Sequence, residues 1–175
     1  MRVKFATLLV MSFCCVLAFM GCGKTGVQEQ PLTSQEREAE KQAILRTLEI
    51  YSEAATERNW AKMVTTLADE VTFFGTDSGE VTKNFNEFKS TIQKQWEKYE
   101  VIGYGKAQDV FIQLDDYARF ASVVFGAPIY LGATSEKVDT IFALYQRTLK
   151  KDPRRKDWVI TSGILTIPRP APDSR

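Results

Sequence analysis

The sequence predicts an α+β fold: three helices in the N-terminal half, packed on a strongly curved, mostly antiparallel sheet. Three observations carry that prediction. Apolar residues recur at helical spacing as far as Tyr99. From Val101 onward the chain is alternating and β-branched. Turn residues punctuate that second half at short intervals, and helices followed by a run of strands is an α+β plan.

Thr33-Ser34-Gln35-Glu36 is a capping box and opens the first helix. Ile44, Leu48, Tyr51 and Ala55 form one apolar stripe among Glu, Lys and Arg, so this helix is expected to run to about Arg58. Asn59 caps a shorter second helix with Trp60, Val64 and Leu67 on one face, ended by Asp69-Glu70. Val71-Thr72-Phe73-Phe74 reads as a strand and Gly75-Thr76-Asp77-Ser78-Gly79 as a turn, in which Asp77 serves backbone hydrogen bonding. Asn84 to Glu87 offers another cap, and Phe88, Ile92, Trp96 and Tyr99 continue as a third amphipathic helix. Strands are expected near 101–114, 117–131, 137–149 and 157–167. Gly103 and Gly105 mark a bend or bulge in the first of them. The turns between are Asp115-Asp116, Gly132 to Ser135, and the basic run Lys150 to Lys156, whose Asp152 and Pro153 mark a hairpin tip. Residues 169–175, with Arg169-Pro170-Ala171-Pro172, read as a disordered tail.

The N-terminus carries an address. Val16 to Thr25 reads VLAFMGCGKT, and its Gly-Lys-Thr suggests a phosphate loop. The residues that follow, Gly26 to Pro31, are polar and closed by proline, a poor helix start, and Ala18 stands where the strict pattern needs Gly. The export reading fits better. Arg2 and Lys4 precede sixteen residues, Phe5 to Met20, of which only Thr7 and Ser12 are polar, and Gly21-Cys22 follows. That apolar run is short for a bilayer span, which needs roughly 20 residues. A cysteine after a small residue at this point resembles a bacterial lipobox, although Phe19 and Met20 depart from its preferred residues. The resemblance implies that Cys22 is acylated and becomes the first residue after cleavage. Gly23 in place of Asp resembles proteins sent to the outer membrane of a diderm cell, on its periplasmic side. An ordinary cleaved signal with an incidental cysteine is the alternative. The expected organisation is a signal peptide over 1–21, a flexible tether over 22–33 and one domain over 34–168.

Composition narrows the chemistry. The chain has 23 basic and 22 acidic residues, and Arg2 and Lys4 belong to the signal. The remainder is close to neutral and shows no basic stripe for nucleic acid. The basic run at 150–156 reads as a solvated turn, with contact to anionic lipid headgroups as a secondary idea. The three cysteines, Cys14, Cys15 and Cys22, all lie in or at the signal, so the domain holds no disulfide, thiol nucleophile or cysteine metal site. Histidine is absent from the chain, which excludes Ser-His-Asp and Cys-His machinery and the usual zinc sites. No cofactor is expected, and any catalysis would fall to carboxylates, tyrosines or lysines.

The stretch ERNWAKMVTTLADEVTFFGTDSGEV, followed by FNEFKSTIQKQWEKY, resembles the start of a SnoaL-like domain of the nuclear transport factor 2-like superfamily. Trp60, Leu67, Phe73 to Asp77 and Gly79-Glu80-Val81 carry the likeness, and Trp158 to Pro168 is similar to that family's closing strand. The resemblance spans roughly 35–168 and implies a cone in which helices close a curved sheet around a pocket. Superfamily members include isomerases, dehydratases and cyclases as well as binding and dimerising domains, so fold alone does not give function. Many SnoaL-like relatives carry His-x-Ser in the closing strand; Ile164-Leu165-Thr166 stands there in this chain, which argues against acid–base catalysis.

Pocket walls should come from one parity of each strand. Val138, Thr140, Phe142 and Leu144 form one such row, and Trp158, Ile160, Ser162 and Ile164 another. Phe74, Trp96, Tyr104, Phe120 and Val124 are further candidates, with Tyr51 from the first helix. Arg119 and Arg147 lie in strands, where each could stand at the pocket mouth. By likeness to ketosteroid isomerase, Tyr51 could act beside Asp109 or Asp139 as the carboxylate, although both read as solvated. Three functions follow as expectations. The first is a lipid-anchored domain that binds a small apolar or amphipathic molecule without turning it over. The second is an isomerase- or dehydratase-type enzyme, and the third an interaction module or homodimer using the open sheet face.

Overall fold

The computed structural model describes residues 30–76 and 80–168. The expected signal peptide, Cys22, most of the tether, Asp77 and the tail at 169–175 lie outside the described residues. No helix among the described residues is long and apolar enough to cross a membrane.

Helix α1, Ser34–Thr56, begins at the capping box: Thr33 N–H donates to Glu36 Oε2 at 2.9 Å and Glu36 N–H to Thr33 Oγ1 at 3.3 Å. Ile44, Leu48, Tyr51, Ala54 and Ala55 are buried along its inner face. The chain leaves the helix at Arg58, whose φ of 54° lies in the left-handed region. Asn59 then caps α2, Trp60–Val64, by accepting from Lys62 N–H. This helix ends sooner than Asp69-Glu70. The hydroxyls of Thr65 and Thr66 donate back to the Lys62 and Met63 carbonyls, and Asp69 and Glu70 already belong to strand β1, Leu67–Phe74. Pairing decides the boundary: Leu67 is in register with Ile160, and Ile160 N–H donates to the Thr66 carbonyl at 2.8 Å. Strand β2, Val81–Thr82, leads to α3, Phe85–Lys98, capped by Asn84 and packed through Phe88 and Ile92.

The expected strand at 101–114 is two strands, β3 at Val101–Tyr104 and β4 at Gln108–Leu114. The break falls at Gly105, whose N–H donates to the Pro128 carbonyl at 2.8 Å. A Cβ there would lie 2.3 Å from Pro128 Cγ, so only glycine permits that approach. Strands β5, Phe120–Thr134, and β6, Lys137–Lys151, form a long hairpin, and β7, Trp158–Thr166, closes the sheet. The order is β2-β1-β7-β6-β5-β3, with β4 sharing the outer edge of β5. All pairs are antiparallel except β1 with β7.

The inner face carries Val123, Phe125, Ala127 and Ile129 of β5 and Ala143, Tyr145, Arg147 and Leu149 of β6. Helices α1 and α3 cover it. Trp96 ties them, its indole N–H donating to the Ala55 carbonyl at 3.1 Å. The basic tip is anchored rather than loose. Asp152 accepts from the N–H groups of Arg154 and Arg155, while the Arg155 guanidinium donates to the Thr65 and Leu67 carbonyls.

Candidate functional site

Inside the cone, α1, β3, β5 and β6 enclose a narrow cavity lined by Tyr51, Tyr104, Phe125, Tyr145 and Arg147, with Leu48, Ser52, Gly105 and Ala127. The atom-free space is about 310 Å³, part of it open to solvent, and most of it is too narrow for a water molecule. That leaves room for about one water. Anything larger must displace a lining ring.

Register explains how Arg147 comes to be interior. Phe73 of β1, Gly163 of β7 and Arg147 of β6 stand side by side in the sheet. Gly163 has no side chain, so Phe73 and Arg147 lean over it. A Cβ at 163 would sit 2.6 Å from both Arg147 Nη1 and Phe73 Cε1. The guanidinium lies 5.9 Å from the Tyr51 ring centroid, 5.2 Å from Phe73 and 5.1 Å from Tyr145. Nη1 donates to the carbonyls of Gln146 at 2.9 Å and Ile164 at 3.1 Å. Tyr51 stacks on Phe73, and Phe125 on Tyr145.

One polar group here lacks a protein partner. The Tyr145 hydroxyl is fully buried and makes no hydrogen bond among the described residues. Burial pushes the phenols of Tyr51, Tyr104 and Tyr145 above their ordinary pKa, with Arg147 opposing. All three are therefore neutral O–H groups near pH 7. Burial also lowers Arg147 from its usual value, against the pull of the three phenols. No carboxylate lines the cavity among the described residues.

Of the sequence-selected residues, Tyr51 and Tyr104 line this cavity. Ile160 is fully buried in the core, and Trp96 serves as the pin between helices. The others require correction. Phe74, Val124, Phe142, Leu144 and Ile164 are 43–45% exposed and Phe120 is 59% exposed. They stand on the outer face because the inward row of β5 is the odd-numbered one, and pairing makes the inward row of β6 odd as well. A bulge at Thr161 shifts the parity of β7, so Trp158 and Ile160 point inward while Ser162 and Ile164 point out. Ile164 therefore does not occupy an inward position. Asp109 and Asp139 are both exposed, away from the cavity, and form no dyad with Tyr51. Sequence reading missed Tyr145 and Gly163, and it set Arg147 at the pocket mouth rather than deep in the cone.

Two larger depressions lie elsewhere on the surface. One, with about 840 Å³ of atom-free space, runs along α1 beside Trp158; its acid Glu40 is held by Lys151 and by the Trp158 indole N–H. The other, with about 900 Å³, lies by Asp69, Glu70 and Lys83.

Residues 44–124 match the family model described as a SnoaL-like domain. No curated protein sequence matches the chain. Among solved structures, a protein from Novosphingobium aromaticivorans provisionally assigned as a scytalone dehydratase superposes with a TM-score of 0.69 at 13% identity, over 78% of this chain and 89% of that one. A nuclear transport factor 2-like superfamily protein from Salmonella enterica gives 0.68 at 10% identity, over 79% and 98%. The hexachlorocyclohexane dehydrochlorinase LinA-type3 from Novosphingobium barchaimii gives 0.66 at 10% identity, over 78% and 92%. With its helices set N-terminal to a curved, mostly antiparallel sheet, the chain has a nuclear transport factor 2-like fold, and its residues 44–124 are similar to a SnoaL-like domain.

Proposed function

We propose that this is a lipid-anchored, exported binding domain that holds a small amphipathic molecule in the cone without turning it over. The observation that carries the reading is the unpartnered Tyr145 hydroxyl, buried beside Tyr51, Tyr104 and Arg147 against aromatic walls. Apolar walls with a few convergent polar groups are the general pattern of ligand sites. The dehydratase and dehydrochlorinase names among similar structures raise an elimination reaction, which needs a base. The cavity offers three phenols whose protons burial retains, and neither carboxylate nor imidazole lines it among the described residues. Binding without proton transfer fits better.

Native mass spectrometry of the full chain, followed by denaturing extraction, tests the reading. A discrete small molecule lost on denaturation is expected. A chain that carries none, and whose melting does not respond to amphipathic probes, would reject it. Anchoring rests on Gly21-Cys22 after the apolar run. Cys22→Ser should abolish metabolic acyl labelling, and labelling that persists would refute the anchor.

A second reading has its own observation. Phe74, Ile164, Gln146, Val124 and Phe111 form one register row across five strands on the outer face, and all but Gln146 are apolar and exposed. A contiguous apolar surface of that kind marks an interface. We assign it to a second copy of this chain.

A further inference from the structure

The cavity holds a positive charge that nothing in it balances. Arg147 is 6% exposed, and among the described residues no carboxylate stands within ion-pair distance of its guanidinium. Three ring faces and two carbonyls solvate the cation, but solvation does not neutralise it. Nη1 makes both carbonyl bonds, while Nε and Nη2 donate to no described residue. The Tyr145 hydroxyl, on a residue only 4% exposed, is likewise unbonded. Gly163 is the residue that makes room for this arrangement. A guanidinium supplies donors only, and a buried phenol kept neutral supplies another. Donors with net positive charge and no acidic acceptor select an anion. The fork of Nε and Nη2 matches the two oxygens of a carboxylate, and the surrounding rings suit an apolar body.

We propose that the cone binds the carboxylate of a small monocarboxylic acid, with Arg147 Nε and Nη2 and the Tyr145 hydroxyl as its donors. This rests on the binding function proposed above and names its ligand class. Room for one water means that the acid enters by displacing a ring, and Tyr104 at the end of β3 is the least buried of them.

Calorimetric titration of the full chain in non-ionic detergent, with sodium benzoate, benzamide and sodium formate at one ionic strength, tests the assignment. Benzoate should bind at least about tenfold tighter than its neutral isostere benzamide, because only the anion makes charge-assisted bonds. Arg147→Met should erase that preference and Arg147→Lys retain part of it. Should the Met variant fail to fold, the wild-type ratio decides alone. Formate binding as tightly as benzoate would keep the anion site but overturn the organic body. Equal affinity for benzoate and benzamide would overturn the carboxylate assignment and leave the binding function standing. No binding of any probe would overturn the carboxylate assignment, while the binding function stands or falls on the mass spectrometry above.

Discussion

Tyr145 is the residue on which most depends. A buried hydroxyl without a partner has lost its water and gained nothing, at a cost of about 1–3 kcal/mol. Tyr145→Phe removes that cost and keeps the ring stacked on Phe125. In ligand-free protein the variant is therefore expected to be as stable as wild type, or more stable by about 1 kcal/mol. Urea denaturation of both proteins measures it. A loss above about 1 kcal/mol would mean that the hydroxyl already has a partner, and would remove it from the site. Nothing in the sequence marks this residue. On β6 the two alternating rows, Phe142-Leu144-Gln146-Thr148 and Ala143-Tyr145-Arg147-Leu149, are similarly mixed in polarity, so pattern alone does not say which faces in. The inner row carries the arginine, contrary to the usual sense of alternation, because Gly163 opens a place for it between β1 and β6.

The elements whose limits were legible are those set by local chemistry. Thr33, Asn59 and Asn84 cap helices where the sequence says they should, because each acts on backbone within a turn of itself. The Asp115 and Asp152 turns are local in the same sense. The end of α2 was not legible, since it is fixed by the pairing of Leu67 with Ile160, far along the chain, and neither was the bulge at Thr161, which shows only in the register of β7 on β6. The two turn aspartates also predict an acid response. Burial raises Asp115, but the N–H groups of Phe120, Arg119 and Tyr117 outweigh it and hold the carboxyl below its ordinary value of 3.8. The Arg154 N–H leads the groups that hold Asp152 below the same value. Around and below pH 3.8 the unfolded chain thus binds more protons at these sites than the folded one. Their stabilisation is present above that pH and is lost as pH falls through the folded values. The double variant Asp115→Asn/Asp152→Asn should melt lower than wild type at pH 7 and converge with it in strong acid. Calorimetric melting from pH 7 down to about 2 checks this, and parallel curves would contradict it.

At the scale of the whole molecule, one sheet serves two surfaces. Its inner face closes over the cavity with small and aromatic residues, and its outer face presents Phe111, Val124, Phe142, Leu144 and Ile164 to solvent. The interior cannot draw on that apolar side, because neighbouring residues of a strand point oppositely and the hairpin register fixes both rows at once. The outer apolar set therefore contributes nothing to the cone, and the second copy of this chain proposed above is the partner tested here. A second copy fits, since an interface made by one patch meeting itself needs the same residues on both sides. Leu144 is central to the patch, flanked in register by Gly126 and Thr166, and Phe142 beside it lies over Gly126. Leu144→Lys places a charge there without entering the core. Sedimentation of the full chain in detergent should show dimers for wild type and monomers for Leu144→Lys, with folding stability changed by no more than about 0.5 kcal/mol. A wild-type chain that sediments as a monomer at tens of micromolar would assign the outer face to something other than itself. The variant also separates the two readings of the molecule: if Leu144→Lys abolishes dimers but binds benzoate as wild type does, the cavity works within one copy.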